Sequence, residues 1–398
     1  MIALARFHAT WFDSHMQLEA DNVAGLRAQA RAALARAEIG TAIALLSRAT
    51  KIAPDDVAVL VDLGQAYEQA QRYDAARYVL ERAAESSAGR DPGARLMLAR
   101  VLELDARDEL ALLHYFRALL EASRLPAWRD GAALAPAMRD LIERARRQVA
   151  RGRRDWFARA LAAVPTHAAP GAIDRIDTAL DIYLEGRPLR VDDARQQPGF
   201  LYVPGIAATA FPPAARFDFL DRAAASIAPL RNEFDTCMAA SATGSTAPGV
   251  RRIAVLSRGN AHGEARRHAP RLLAALAALP LARVPNHGPD AEMLALAAHT
   301  ASPLQYGRTN SRCRVIVNLA DSAALQVRVG GETRDLAPAQ ALAVDPSFGV
   351  ELRNAGAAAA RALLCDVWHP DLSALERAAL SALIVAAVDF DTRVMELP

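Results

Sequence analysis

Residues 23–125 repeat with a period of about 34, and no other feature constrains the fold of this chain as much. Leu63-Gly64, Tyr67, Ala76, Leu80 and Ala83 have counterparts in kind one period earlier, at Ala30, Ala33, Ala42, Leu46 and Ala49. One period later come Leu98-Ala99, Leu102, Ala111, Tyr115 and Ala118, and Pro54 closes the earliest unit. The segment is rich in Ala, Leu, Arg and Glu, all good helix formers. Small residues stand where paired helices must cross, and large ones lie between. Each pair can therefore approach closely and bury its remaining apolar face on the next pair. The period predicts a stack of helix pairs, and three units are about the minimum for stability.

Spacing and small-residue pattern together resemble the tetratricopeptide repeat. That resemblance implies a concave groove able to take a protein or peptide segment; a plain helical spacer fits the same residues. The helical run at 134–164 reads as the cap of the stack. Its arginines Arg144, Arg146, Arg147, Arg151, Arg153 and Arg154 read as a solvated helix face rather than an anion site.

The rest of the chain is bounded by its composition. With 398 residues there is room for two or three domains with sizeable cores. Lys+Arg number 47 against Asp+Glu 45, so the charge balance supports neither a nucleic-acid nor a membrane partner. The 3 cysteines, Cys237, Cys313 and Cys365, lie far apart without a CxxC, which fits a reducing compartment. No apolar run is long enough to span a bilayer, and MIALARFHATWFDSH turns polar too early for a signal peptide. A cytoplasmic protein is the expectation. The predicted organisation is a leader at 1–22, helical repeats at 23–125, capping helices and linker at 126–185, and a second domain at 186–398.

Pro and Gly in VPTHAAPGAID, 164–174, mark the break between these parts. Helices are predicted at 214–234 and 264–279. From 313 onward the apolar period shortens towards 2, in CRVIVNLA, ALQVRVGGETRDL, QALAVDPS, GVELRN and ARALLCDVW. Gly330-Gly331 between two such runs signals a hairpin. Short strands joined by tight turns predict an antiparallel sandwich or barrel.

Several stretches fall in the order of the landmarks of one family. RPLRVDDARQQPGFLYVPGI, FDFLDRAAASIAPLRNEF and HAPRLLAALAALPLARVPNHGPDAEM come first; YGRTNSRCRVIVNL, VRVGGETRDL, DPSFGVELRN and CDVWHPDLS follow. Over roughly 186–373 the chain resembles the aspartyl/asparaginyl β-hydroxylase family. The resemblance implies a double-stranded β-helix, a cupin-like jelly roll with flanking helices, behind an all-α tetratricopeptide-like solenoid. It also implies Fe(II) and 2-oxoglutarate as cofactors for hydroxylating Asp or Asn side chains.

Two histidines of that family bind the iron. The first precedes the Thr-Asn pair, and that position here is Gln305; the second follows the Asp-Ser-Phe landmark, and that position is Val350. Valine cannot bind a metal, and glutamine is a poor neutral ligand. His262-Gly263-Glu264 has H-x-E spacing, with His268 nearby, but reads as a surface pair ahead of a helix. His369-Pro370-Asp371 has H-x-D spacing but belongs to the closing motif. His299 lies six residues before Gln305, and Glu351 follows Val350 on the opposite face of its strand.

The co-substrate pocket implied by the resemblance is partly kept. Arg312, Arg314, Ile316 and Asn318 share one face of their strand, and Cys313, Val315, Val317 and Leu319 the other. Arg314 matches a position that contacts the co-substrate carboxylate; an internal salt bridge is the other reading of it. Ile316 stands where the family has a histidine. Ala360 stands where it has a second carboxylate-binding arginine, with Arg361 one step on and facing away. Arg314 and Arg361 are thus the candidate cofactor-binding residues, with no metal ligand and no catalytic residue assigned. The sequence reads as a degenerate hydroxylase-type domain, used as a protein-binding or scaffold module with a vestigial 2-oxoglutarate pocket. No cofactor is then expected, and a small carboxylate is a possible ligand. The alternative is an active Fe(II)/2-oxoglutarate dioxygenase of the peptidyl-aspartate/asparagine type with an unorthodox metal site.

Overall fold

The computed structural model describes residues 22–130, 134–164, 171–241, 245–320 and 325–398. All but the last residue of the predicted leader lies outside them, as do residues 165–170 of the break. The chain divides into two compact units, residues 1–156 with 388–398 and residues 157–387. The first division falls inside a helix rather than at the Pro/Gly punctuation.

The first unit is the predicted helical stack. Its helices are α1 (22–35), α2 (Ile39–Ile52), α3 (Val57–Gln69), α4 (Tyr73–Ser87), α5 (Pro92–Leu104) and α6 (Asp108–Arg124), followed by α7 (Pro126–Asp130) and α8 (Pro136–Ala162). The first six form three pairs, and the repeating positions are the buried ones: Ala30, Ala42, Leu46, Ala76, Leu80, Ala111 and Ala118 have no exposed surface beyond 3 %. A Cβ added to Gly64 would lie 2.5 Å from Leu80 Cγ, so the α3–α4 crossing requires glycine. Asp56 and Asp91 cap α3 and α5, accepting from Ala58 N and Val59 N, and from Gly93 N. Each pair turns through one left-handed residue, Ala37 (φ 59°), Gln71 (φ 56°) and Ala106 (φ 56°) in turn. Arg27 and Arg31 of α1 both bond Asp62 of α3, and Arg95 of α5 bonds Glu121 of α6 at 3.1 Å in the interior. Arg144 of α8 reaches Glu103 at 2.8 Å, so part of that arginine cluster is paired.

The second unit opens with α9 (Asp174–Tyr183), and its helices α10 (Leu220–Ile227), α11 (Arg231–Ala240), α12 (Gly263–His268) and α13 (Pro270–Ala277) precede most of the sheet. The predicted helices at 214–234 and 264–279 are each broken, the first around Pro229 and the second at Pro270, because proline lacks the amide that would continue a helix. Strands also begin earlier than 313. They are β1 (Ser245–Ala247), β2 (Val250–Ser257), β3 (Asn260–Ala261), β4 (Ala291–Leu296), β5 (Arg312–Asn318), β6 (Leu325–Val329), β7 (Glu332–Leu336), β8 (Ala341–Val344), β9 (Val350–Asn354) and β10 (Ala360–Trp368). The helix α14 (Ala374–Met395) ends the chain.

One antiparallel sheet runs β1-β2-β4-β10-β5-β8, with β3 added on β2; a second runs β7-β6-β9. Segment 301–305 bridges onto β9 through Ala301–Arg353 and Gln305–Val350, adding a fourth member to the second sheet. From β4 to β10 the chain therefore passes back and forth between the two sheets, with only the β6–β7 hairpin staying within one, and four segments of each sheet (β4, β10, β5, β8 and 301–305, β9, β6, β7) make a double-stranded β-helix. The Gly330-Gly331 hairpin is a two-residue turn with both φ positive, 56° and 88°.

The alternation in β5 sorts its side chains as the sequence predicts. Cys313, Val315 and Val317 pack under α10, α11 and α13, while Ile316 joins Val350, Leu364, Ala360 and Phe348 between the two sheets.

Candidate functional site

The barrel opens at one end into a cavity of about 350 Å³. The end of β2 contributes Leu256 and Ser257, the residue before β4 contributes Asp290, β4 itself Glu292, β5 contributes Arg314, β10 contributes Leu364 and Asp366, and Gln305 stands at the rim. Arg314, Asp366 and Glu292 converge because each lies one two-residue step from an interior-facing apolar residue of its own strand, Ile316, Leu364 and Leu294 respectively.

Arg314 and Asp366 are direct cross-strand partners in the β5–β10 ladder. Arg314 Nε donates to Asp366 Oδ1 at 3.0 Å and Nη2 to Oδ2 at 3.5 Å, so its fork already holds a carboxylate. Its Nη1 lies 4.0 Å from Glu292, which also takes a 2.5 Å bond from Arg252. The mouth thus carries an alternating row Arg252–Glu292–Arg314–Asp366. The adjacent Asp366 carboxylate raises the Arg314 pKa beyond its ordinary range, whereas burial lowers that of Arg252. With Asp290 counted, carboxylates outnumber guanidiniums around the cavity.

Gln305 and Val350 lie opposite one another. Gln305 N donates to Val350 O at 3.0 Å, and Val350 N to Gln305 O at 2.8 Å. The Val350 side chain is buried in the barrel interior, and Gln305 is exposed. Ile316 and Ala360 are both in that same apolar cluster. Arg361 points to the other face of β10 and bonds Asp235 at 2.6 Å. Arg312 lies over the Trp368 ring, 5.5 Å from its centroid, and Asn318 closes the far end of β5 by bonding Leu336 O and Ala320 N.

The remaining candidates are dispersed. Glu264 is engaged by Arg267 and His268 at the start of α12. Glu351 bonds Arg328 at 3.4 Å on the outer face, and His299 is exposed in the turn after β4. His369 is buried, and burial pushes its imidazole down to about 4; Asp371 beside it pairs with Arg216. Among the described residues no three or more His, Cys, Asp or Glu side chains are placed to hold a metal ion. Glu292, Asp290 and Arg252 were not singled out in the sequence. Glu292 and Arg252 lie in strands whose period-2 pattern is short, and only the ladder shows which face they share; Asp290 immediately precedes β4.

Residues 230–370 match the family model for aspartyl/asparaginyl beta-hydroxylase, and residues 33–97 match one for the tetratricopeptide repeat. No curated protein matches the sequence. Among solved structures, the Sgt2 tetratricopeptide domain from Aspergillus fumigatus is similar at 22% identity, covering 38% of this chain and 92% of that one with a TM-score of 0.28. A cupin domain of an XRE-family transcriptional regulator from Enterobacter cloacae is similar at 19% identity, covering 20% and 81% with a TM-score of 0.19. The Cnp3 cupin domain of Schizosaccharomyces pombe is similar at 15% identity, covering 20% and 56% with a TM-score of 0.18. Among the described residues no helix is long and apolar enough to cross a membrane.

Proposed function

We propose that the barrel is a non-catalytic relative of the aspartyl/asparaginyl β-hydroxylases, serving as a binding or scaffold module behind a tetratricopeptide segment that takes a protein or peptide. Tetratricopeptide repeats generally mediate protein–protein contact, and the match at 33–97 supports that role for the first unit. The observation that carries the reading is the Gln305–Val350 pair. The two positions that the resemblance makes the iron ligands are paired across neighbouring strands, which supports reading them as the place where two imidazoles would meet. They present a neutral amide and an isopropyl group.

The residues present do not fit an Fe(II) centre, which needs imidazole or carboxylate donors on one face of the ion. Arg314, the residue matched to co-substrate binding, must surrender Asp366 before it can take a second carboxylate. Ile316 and Ala360 add apolar surface where the resemblance expects an imidazole and a guanidinium.

Iron content and co-substrate turnover of the full chain test this. Protein purified anaerobically with excess Fe(II) should retain less than a tenth of an equivalent after desalting, on the order set by weak surface sites, and should release no succinate from 2-oxoglutarate. Stoichiometric iron, or succinate above a denatured control, overturns the reading in favour of an active dioxygenase.

A further inference from the structure

Beside the barrel mouth, a second concavity of about 310 Å³ lies between two tight turns. One is the β2–β3 turn, whose central residues Arg258 and Gly259 both have positive φ, 51° and 80°. The other spans Val284 to Gly288, closed by a bridge between those residues, with Asn286 at φ 58°. The turns are locked together. Gly259 N donates to Pro289 O at 2.9 Å, and a Cβ at Gly259 would come within 2.7 Å of the Gly288 carbonyl oxygen. The two turns that frame the pocket are therefore tied to each other through their backbones.

Polar side chains line this pocket with one sign of charge. Arg258 and Arg283 both border it, together with Asn260 and Asn286. Among the described residues neither arginine makes an ion pair: Arg283 Nη2 donates to the Ala277 carbonyl at 3.0 Å, and the nearby Asp290 accepts from the Arg258 backbone amide at 2.8 Å. Burial and the charge of Arg258 together lower the pKa of His287, so the neighbouring imidazole is held towards its neutral form. The contrast with the mouth is chemical. There every arginine already has a carboxylate, whereas here two guanidiniums frame an open cavity.

The position of Arg258 adds a second argument. A two-residue turn of this type favours Asn, Asp or Gly at its first central residue, because a side chain in the left-handed region crowds its own backbone. Arginine has no local reason to stand there, and it is one of the residues that line the pocket.

We propose that this turn pocket binds a small oxyanion, a phosphate or carboxylate group, between the guanidiniums of Arg258 and Arg283 with the carboxamides of Asn260 and Asn286 as further donors. Guanidinium forks match either group bidentately. The pocket is open to solvent, so salt screens the attraction, and the dissociation constant should be on the order of 1 mM.

Calorimetry on the full chain at low ionic strength, with inorganic phosphate and separately with succinate, tests the assignment. Binding of at least one anion should weaken about tenfold or more in Arg258→Gly and in Arg283→Ser, and hold in the charge-matched surface control Arg222→Ser. Arg258→Gly also relieves the strained φ, so its melting temperature should equal or exceed that of the unsubstituted protein while its anion binding is lost. Phosphate alone marks a phosphate-bearing ligand and succinate alone a carboxylate-bearing one. The proposal is overturned if neither anion binds. It is equally overturned if binding survives both substitutions, or if it is lost with Arg314→Ala and not with these.

Discussion

Gln305 and Val350 exchange both of their backbone hydrogen bonds, at 3.0 and 2.8 Å, across the second sheet of the barrel. Residues so paired have side chains on the same face and Cα atoms about 5.5 Å apart. Two imidazoles placed there would converge. The double substitution Gln305→His with Val350→His should accordingly raise Fe(II) affinity by at least about tenfold over the unsubstituted chain, measured by anaerobic titration. Each single substitution should do little. Val350 is packed among Ile316, Leu364 and Phe348, so a histidine there should also lower stability by about 1–3 kcal/mol. No gain in metal affinity would mean that the barrel geometry at these positions differs from the one described.

Arg314 and Asp366 form the second testable pair. Both side chains are largely withdrawn from water, at 21% and 12% exposure. Removing one member leaves the other without its counter-charge, so Arg314→Ala should cost about 3 kcal/mol by chemical denaturation. Replacing both by Met and Leu should cost much less. Asp366→Asn is the informative single change, since it releases the guanidinium fork while keeping the shape. Each charge-assisted bond to a carboxylate contributes about 1.5–3 kcal/mol, so succinate affinity should rise about tenfold or more in that variant. An unchanged isotherm would show that Glu292, 4.0 Å away, or the cavity shape still excludes the anion.

How much of this was legible beforehand follows the range of the interactions. The helical stack was readable because its contacts are local: the close approach of Gly64 to Leu80 and buried small residues such as Ala42 recur at one fixed spacing, and the period alone marks them. The face of β5 was readable for the same reason, Cys313 and Arg314 falling to opposite sides by simple alternation. Asp366 as the partner of Arg314 was not, although both stood in quoted motifs. Their meeting depends on the register of strands 52 residues apart in sequence. Glu292 and Arg252 were further hidden, because β2 and β4 precede the run where alternation is clear. The helix breaks at Pro229 and Pro270 were written in the sequence and were overridden by the strength of the flanking apolar pattern.

The three left-handed turn residues of the helical unit, Ala37, Gln71 and Ala106, recur once per repeat. A side chain in that region costs about 1–2 kcal/mol, which glycine avoids. The same substitution loosens the unfolded chain, so the net gain is smaller. Changing any one to glycine should stabilise the unit by about 0.5–1 kcal/mol, and changing all three should add nearly independently because the sites are in separate repeats. Thermal melts followed by helical circular dichroism would detect this. A loss of stability at all three positions would contradict the turn geometry.

Asp345 supplies a prediction about pH. It is fully buried at the end of β8, accepts from Ser347 N at 2.8 Å and Gln196 Nε2 at 3.1 Å, and burial raises its carboxyl pKa from 3.8 to about 6. Folding therefore favours the protonated form. The contribution of this group to stability is greatest below pH 3.8, falls as pH rises through about 6, and is flat above, a difference of about 3 kcal/mol. Asp345→Asn removes the titration and keeps an oxygen for the Ser347 amide. If the Gln196 amide turns over, the added carboxamide can donate to Gln196 Oε1, which among the described residues otherwise lacks a partner. The variant should be more stable than the unsubstituted chain at pH 8, with the advantage shrinking steadily towards pH 4. Denaturant melts at several pH values, read by a barrel-sensitive signal such as near-ultraviolet circular dichroism, would measure the difference. A variant less stable at pH 8 would instead show that the ionised carboxylate is held favourably by Ser347 and Gln196.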